Sequence, residues 1–112
     1  MKLNHLNLTV DDAQAAASFL ITYFGMTEMG RNNDNFIFLT DENGIVLSLM
    51  KGKDAVYPDN FHIGFIRSGR AEVDAIHQRL EADGFHPGQP AQHHGYTFYV
   101  KAPGGLMVEC LA

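Results

Sequence analysis

Two stretches of the chain carry the same landmarks in the same order. Each begins with a strand-like alternation around a histidine. A helical run follows, then a glycine stop, then two strand-like runs joined by a turn. In the first stretch, "LNHLNLTV" (3–10) puts Leu6, Leu8 and Val10 on one face and His5, Asn7 and Thr9 on the other. Asp11, with Gln14 in capping-box register, predicts a helix from about residue 12 to residue 24. Ala16, Phe19, Leu20 and Tyr23 form its apolar stripe and Gly25 its stop. A short strand is expected near 27–30, then "NFIFLT" (35–40) and "IVLSLM" (45–50) across the turn "DENG". In the second stretch, "NFHIGFIR" (60–67) sets Phe61, Ile63 and Phe65 opposite His62 and Gly64. A helix is expected over about 70–83, with Val73, Ile76 and Leu80 as its stripe and Gly84 as its stop. Then "GYTFYVK" (95–101) and "LMVECL" (106–111) flank "APGG".

The landmarks pair in order: His5 with His62, Gly25 with Gly84, and the turn at Asn43–Gly44 with that at Gly104–Gly105. Counting on from the two turns pairs Ser48 with Glu109. A repeat of this kind predicts that each half builds the same supersecondary unit. Each half reads strand, helix, then about three strands, so the expected fold is α+β, a single domain over 1–112 made of two such modules. Module one spans about 1–52, a linker about 53–59, and module two about 60–112.

Composition narrows the function classes. The net charge is -5, and the eight Lys and Arg are scattered, so neither a nucleic-acid footprint nor a polybasic membrane patch is present. The one cysteine, Cys110, excludes an intramolecular disulfide and reads as a buried strand thiol. The opening residues lack a signal-peptide pattern and no run is long enough to span a bilayer, which makes a cytoplasmic location the default expectation.

The repeat also concentrates chemistry. Glu109 shares a strand face with Met107 and Leu111, where a carboxylate is costly unless exposed, paired or metal-bound. Taken singly, Glu109, His5 and His62 each read as surface or satisfied residues. Taken together at repeat-related positions, two imidazoles and one carboxylate match a facial triad for a divalent metal with open coordination positions.

At this point the sequence resembles the vicinal oxygen chelate superfamily, which contains glyoxalase I, extradiol dioxygenases, fosfomycin-resistance transferases and bleomycin-binding proteins. The resemblance rests on "LNHLNLTVDD", "FGM" after the first helix, "FHIGF", and "APGGLMVEC", which is similar to the family ending "DPDGxxxEL" with Ala102 and Gly104 in place of its aspartates. It implies paired βαβββ modules whose curved mixed sheets enclose a metal or ligand cavity, with His5, His62 and Glu109 as ligands of a divalent ion (Fe, Mn, Zn, Ni or Co). The fourth ligand position of glyoxalase I falls on Ser48, a poor donor for such an ion. The three-ligand pattern resembles the dioxygenases and fosfomycin transferases instead, but Asn7 stands where the latter carry a threonine, and neither activity is assigned.

Tyr99 shares a strand face with Thr97 and resembles family tyrosines that reach the substrate. It also reads as an amphipathic strand tyrosine at a core edge. Alternation places Asn7, Thr9, Phe38, Val46, Ser48, Met50, Thr97 and Met107 toward the expected pocket. His93 and His94 read as exposed loop histidines, either of which could act as an acid or base. His77 and His86 read as surface residues. Two functions follow. One is a small metalloenzyme acting on an oxygenated substrate, with Tyr99 as a hydrogen-bond partner. The other is a metal-free binding protein that sequesters a small molecule or antibiotic. Both expect a small-molecule ligand and a homodimer, with no nucleic acid and no membrane.

Overall fold

The computed structural model describes residues 1–112. The chain divides into two compact units, the first comprising Met1–Val56 with Pro103–Gly105, the second Tyr57–Ala102 with Leu106–Ala112. Each unit carries one helix and one four-stranded mixed sheet.

The first unit contains β1 (His5–Val10), α1 (Ala13–Phe24), β2 (Thr27–Asn33), β3 (Phe36–Thr40) and β4 (Val46–Lys51). Its sheet order is β1-β4-β3-β2; β1 and β4 run parallel and the other pairs antiparallel. The helix carries the chain from β1 at one edge of the sheet to β2 at the other, and β4 then returns to lie parallel beside β1. Alternate residues Leu8 and Val10, Ile37 and Leu39, and Leu47 and Leu49 point inward and are almost wholly buried. They meet Ala16, Ala17, Phe19 and Leu20, the stripe that helical spacing brings to one face. The capping residue is Asp12 rather than Asp11. Its carboxylate accepts from the Ala15 N–H at 2.9 Å. Gly25 ends the helix in the left-handed region, at φ 71°. Gly104, also left-handed at φ 89°, lies against β1 and α1; a Cβ there would stand 3.1 Å from that of Val10.

The second unit contains β5 (Ile63–Ile66), α2 (Arg70–Ala82), β6 (Ala91–Gln92), β7 (Tyr96–Lys101) and β8 (Met107–Leu111). Its order, β5-β8-β7-β6, with β5 parallel to β8, repeats the first. Val73 and Leu80 of α2 are buried with Phe98, Val100, Val108 and Cys110. Burial, opposed in part by the positive charge of Arg67, pushes the Cys110 thiol up to about 11.

Two further expectations are corrected here. Strand β5 begins at Ile63, so His62 precedes the strand instead of sitting within it. His77 is a core residue, not a surface one. It is 6% exposed and meets Phe98 edge-on at 5.2 Å, and its Nε2 has no hydrogen-bond partner. It occupies the position four residues after Val73, on the inward stripe of α2, whereas Ile76 is only half-buried. An unpaired buried nitrogen costs stability. His77→Leu removes it at similar volume and is expected to raise the stability of the protein by about 1 kcal/mol in urea unfolding.

Candidate active site

Glu109 occupies the centre of β8, with Gly64 of β5 on one side and Tyr99 of β7 on the other. The carboxylate is 5% exposed. Gly64 leaves it room, since even a Cβ there would lie 3.6 Å from Oε2. Oε1 accepts from the Thr97 hydroxyl at 2.7 Å and from His94 Nε2 at 2.6 Å. Oε2 faces His62 Nε2 at 3.1 Å. Tyr99 adds a hydrogen bond from its hydroxyl and meets the His62 ring edge-on at 5.2 Å.

The His62 ring is oriented by its own chain. Its Nδ1 lies 3.0 Å from the Asn60 carbonyl oxygen, which can only accept, so Nδ1 carries a hydrogen. The turn is fixed in place by the Phe61 N–H, which donates to the Pro58 carbonyl, and by the stacking of Phe61 on Tyr57. His62, Tyr99 and Met107 line a cavity of about 270 Å³ with Asp59 and Asn60.

Burial alone would raise the Glu109 carboxyl. Hydrogen bonds from Thr97, His94 and Tyr99, with the charge of His94, outweigh it and hold the group below the ordinary glutamate range. Tyr99 moves the other way. Burial first, then the bond to and charge of Glu109, push its phenol up, so it stays a proton donor near neutral pH.

The remaining expected site residues lie in the first unit. His5 is exposed on β1, with Nδ1 3.0 Å from the Asn4 side-chain oxygen. Ser48 is buried, its hydroxyl 2.6 Å from Asn7 Oδ1, and so is engaged with its partner across the parallel pair. Thr9 and Met50 are likewise cross-strand partners and half-buried. Phe38 and Val46 line a second cavity, of about 360 Å³, with Met29, Gly30, Arg31 and Asn32. Arg31 is not free to meet a ligand, being held by Glu28, Asp34 and Gln14.

The second unit therefore brings together His62, Thr97, Tyr99, Met107 and Glu109. Thr97, expected to line the pocket, is buried behind the carboxylate and holds it. No three His, Cys, Asp or Glu side chains of the chain form a complete metal-ligand group. His94, expected as an exposed loop residue, has its side chain half exposed yet reaches Glu109. A contact fifteen residues away from a loop has no periodicity to betray it; only the closeness of the histidine pair to the strand pointed there.

A family model described as the Glyoxalase/Bleomycin resistance protein/Dioxygenase superfamily matches residues 2–110. The chain belongs to that superfamily. It is similar to a structure described as a possible glyoxalase from Bacillus cereus, with 47% identity, TM-score 0.95, and coverage of 100% of this chain and 99% of that one. The fosfomycin resistance protein FosX of Listeria monocytogenes shares the fold at 23% identity and TM-score 0.84, covering 100% and 93% of the two chains. A mutant of FosX has been solved with Mn(II) and 1S,2S-dihydroxypropylphosphonic acid. Among curated proteins, an uncharacterized Pseudomonas aeruginosa protein, PA2024, is 29% identical over 96% of this chain and 85% of its own length.

Because the folded Glu109 carboxyl is depressed, its contribution to stability is full above the ordinary value of 4.5 and is lost as pH falls through the lower folded value. Thr97→Val deletes one donor without changing shape. A carboxyl carbon NMR titration of the metal-free protein is expected to show Glu109 protonating at higher pH in the variant, with acid unfolding beginning at correspondingly higher pH.

Proposed function

We propose that this protein is a small metal-dependent enzyme that binds an oxygenated small molecule at a divalent ion. The observation that carries the reading is the His62–Glu109 pair. With Nδ1 hydrogen-bonded to the Asn60 carbonyl, a neutral His62 turns a lone pair from Nε2 toward Glu109 Oε2 at 3.1 Å. Two lone pairs at that distance repel unless a proton or a cation lies between them. The spacing suits two donors of one ion, and the second-shell carbonyl on Nδ1 is the usual partner of a ligating histidine. His5 is the third ligand that the family resemblance implies, from this chain or from a second copy in a homodimer. Ions of Fe, Mn, Zn, Ni or Co suit two imidazoles and a carboxylate.

Such an ion would supply Lewis acidity to vicinal oxygens of the ligand. The chain supplies the rest. Tyr99, whose single O–H donates to Glu109, would turn that hydrogen to a substrate oxygen once a cation takes up the carboxylate. Asp59 and Asn60 add polar groups to the cavity rim, and Met107 supplies apolar wall. Ser48, hydrogen-bonded to Asn7, is withdrawn from ligation, which argues against a four-ligand glyoxalase I centre.

A second reading, a metal-free protein that sequesters a small molecule or antibiotic, draws on the other cavity. Met29, Phe38 and Val46 give it apolar wall beside Arg31 and Asn32, with no carboxylate or imidazole in its lining. Metal analysis separates the two. Purified untagged protein, reloaded with each ion in turn, is expected to hold stoichiometric metal, with His62→Ala losing at least about tenfold in affinity, as removal of a ligand should cost no less than a second-shell change. Failure of every ion to bind the native protein would remove the enzyme reading and leave the sequestering one.

A further inference from the structure

The two oxygens of Glu109 are not equivalent. Oε1 already has two donors, Thr97 Oγ1 at 2.7 Å and His94 Nε2 at 2.6 Å. An ionised carboxylate only accepts, so His94 must present Nε2–H there. Oε2 is the oxygen turned toward His62.

The chain sets His94 in place through its backbone. It lies in the three-residue connection between β6 and β7, where the His93 N–H donates to the Gly95 carbonyl at 2.8 Å. Below the turn, Gln92 pairs with Tyr96, and Tyr96 exchanges both backbone hydrogen bonds with Ala112, at 2.9 and 3.0 Å. Gly95 admits that close approach, because a Cβ there would already touch the Ala112 carbonyl oxygen at 3.0 Å. Arg70 ties the strand end to α2 through Gln92 and stacks over the Tyr96 ring, whose hydroxyl donates to Asp74. The imidazole is thus delivered to Oε1 by a braced turn, while its side chain remains 56% exposed.

We infer that His94 is a positioning residue that, with Thr97, pins Oε1 of Glu109 so that the glutamate offers a cation only Oε2. The inference rests on the metal reading proposed above and adds to it a rule for the ligand. One-oxygen ligation by Glu109 leaves an additional coordination position open, which is what a substrate binding through two neighbouring oxygens needs. Without His94, Oε1 keeps Thr97 but loses its imidazole donor, and the carboxylate is freer to rotate or to bind through both oxygens.

Cobalt(II) tests this, because calorimetry reads its affinity and visible absorption reads its coordination number. The proteins are the full chain, His94→Ala, His94→Gln and, as a control on the same turn, His93→Ala. His94→Ala is expected to weaken cobalt binding by roughly 10- to 100-fold and to lower its band intensity as coordination number rises. The amide of His94→Gln can donate to the same oxygen and is expected to restore affinity to within about threefold of the native protein, a rescue that a general structural role would not give. His93→Ala should match the native protein. Native-like affinity and an unchanged spectrum in His94→Ala would overturn the inference and leave the metal reading standing. A His94→Gln variant as weak as His94→Ala would also overturn it, because His94 would then be needed for something other than a hydrogen bond. If the native protein takes up no cobalt or any other ion, the metal reading falls and this inference falls with it.

Discussion

A carboxylate buried in a strand must find its partners among its immediate neighbours, and in the second unit that demand falls on Glu109. Around it stand apolar residues, Met107, Val108, Cys110 and Leu111, which offer nothing to a charge. Its hydrogen bonds come from β7 through Thr97 and Tyr99, and from the turn before β7 through His94, with His62 facing the other oxygen. The bare backbone of Gly64 on β5 leaves it space. The register of β8 against both neighbours is thereby tied to the site. Slipping either pairing by one residue would turn Glu109 to the helix side of the sheet, where Val108 and Cys110 now pack. The buried charge thereby also specifies the sheet.

The two units solve one packing problem twice. In each, a helix links the two edge strands and covers the inward face with its apolar stripe, and the last strand returns to lie parallel beside the first. What differs is the position equivalent to Glu109. In the first unit it is Ser48, which is buried but satisfied by Asn7 and needs no charged partner. A hydroxyl can be hidden at small cost, a carboxylate cannot. The unequal pair explains why donors gather around Glu109 in one sheet and not around Ser48 in the other.

Much of this was legible from the chain because it depends on period and punctuation. The glycine stops at Gly25 and Gly84 and the alternating strands are enough to specify the α+β fold and its repeat. The misses have local causes. Asp11 and Gln14 fit a capping-box spacing, yet Asp12 makes the cap because its oxygen reaches the Ala15 N–H. His77 looked like a surface residue because imidazole is polar, although its position four residues after Val73 puts it inward. Phe61 extends the alternation of β5 past His62, but the ladder to β8 begins only at Ile63, after the turn closed by Pro58 and Phe61. His94 was out of reach, since the contact that defines it is made by chain folding and not by any spacing. The candidate site was legible as residue types; which atoms of Glu109 face which partners was not.

Cys110 sits one residue beyond Glu109 and points the opposite way, into the core. At neutral pH its thiolate scarcely forms, and alkylating or oxidising reagents cannot reach it while the sheet is closed. As the chain's sole sulfhydryl, it is a built-in clock. Its rate of chemical modification in the folded protein reports how often β8 parts from its neighbours, and therefore how often the scaffold that carries Glu109 comes undone.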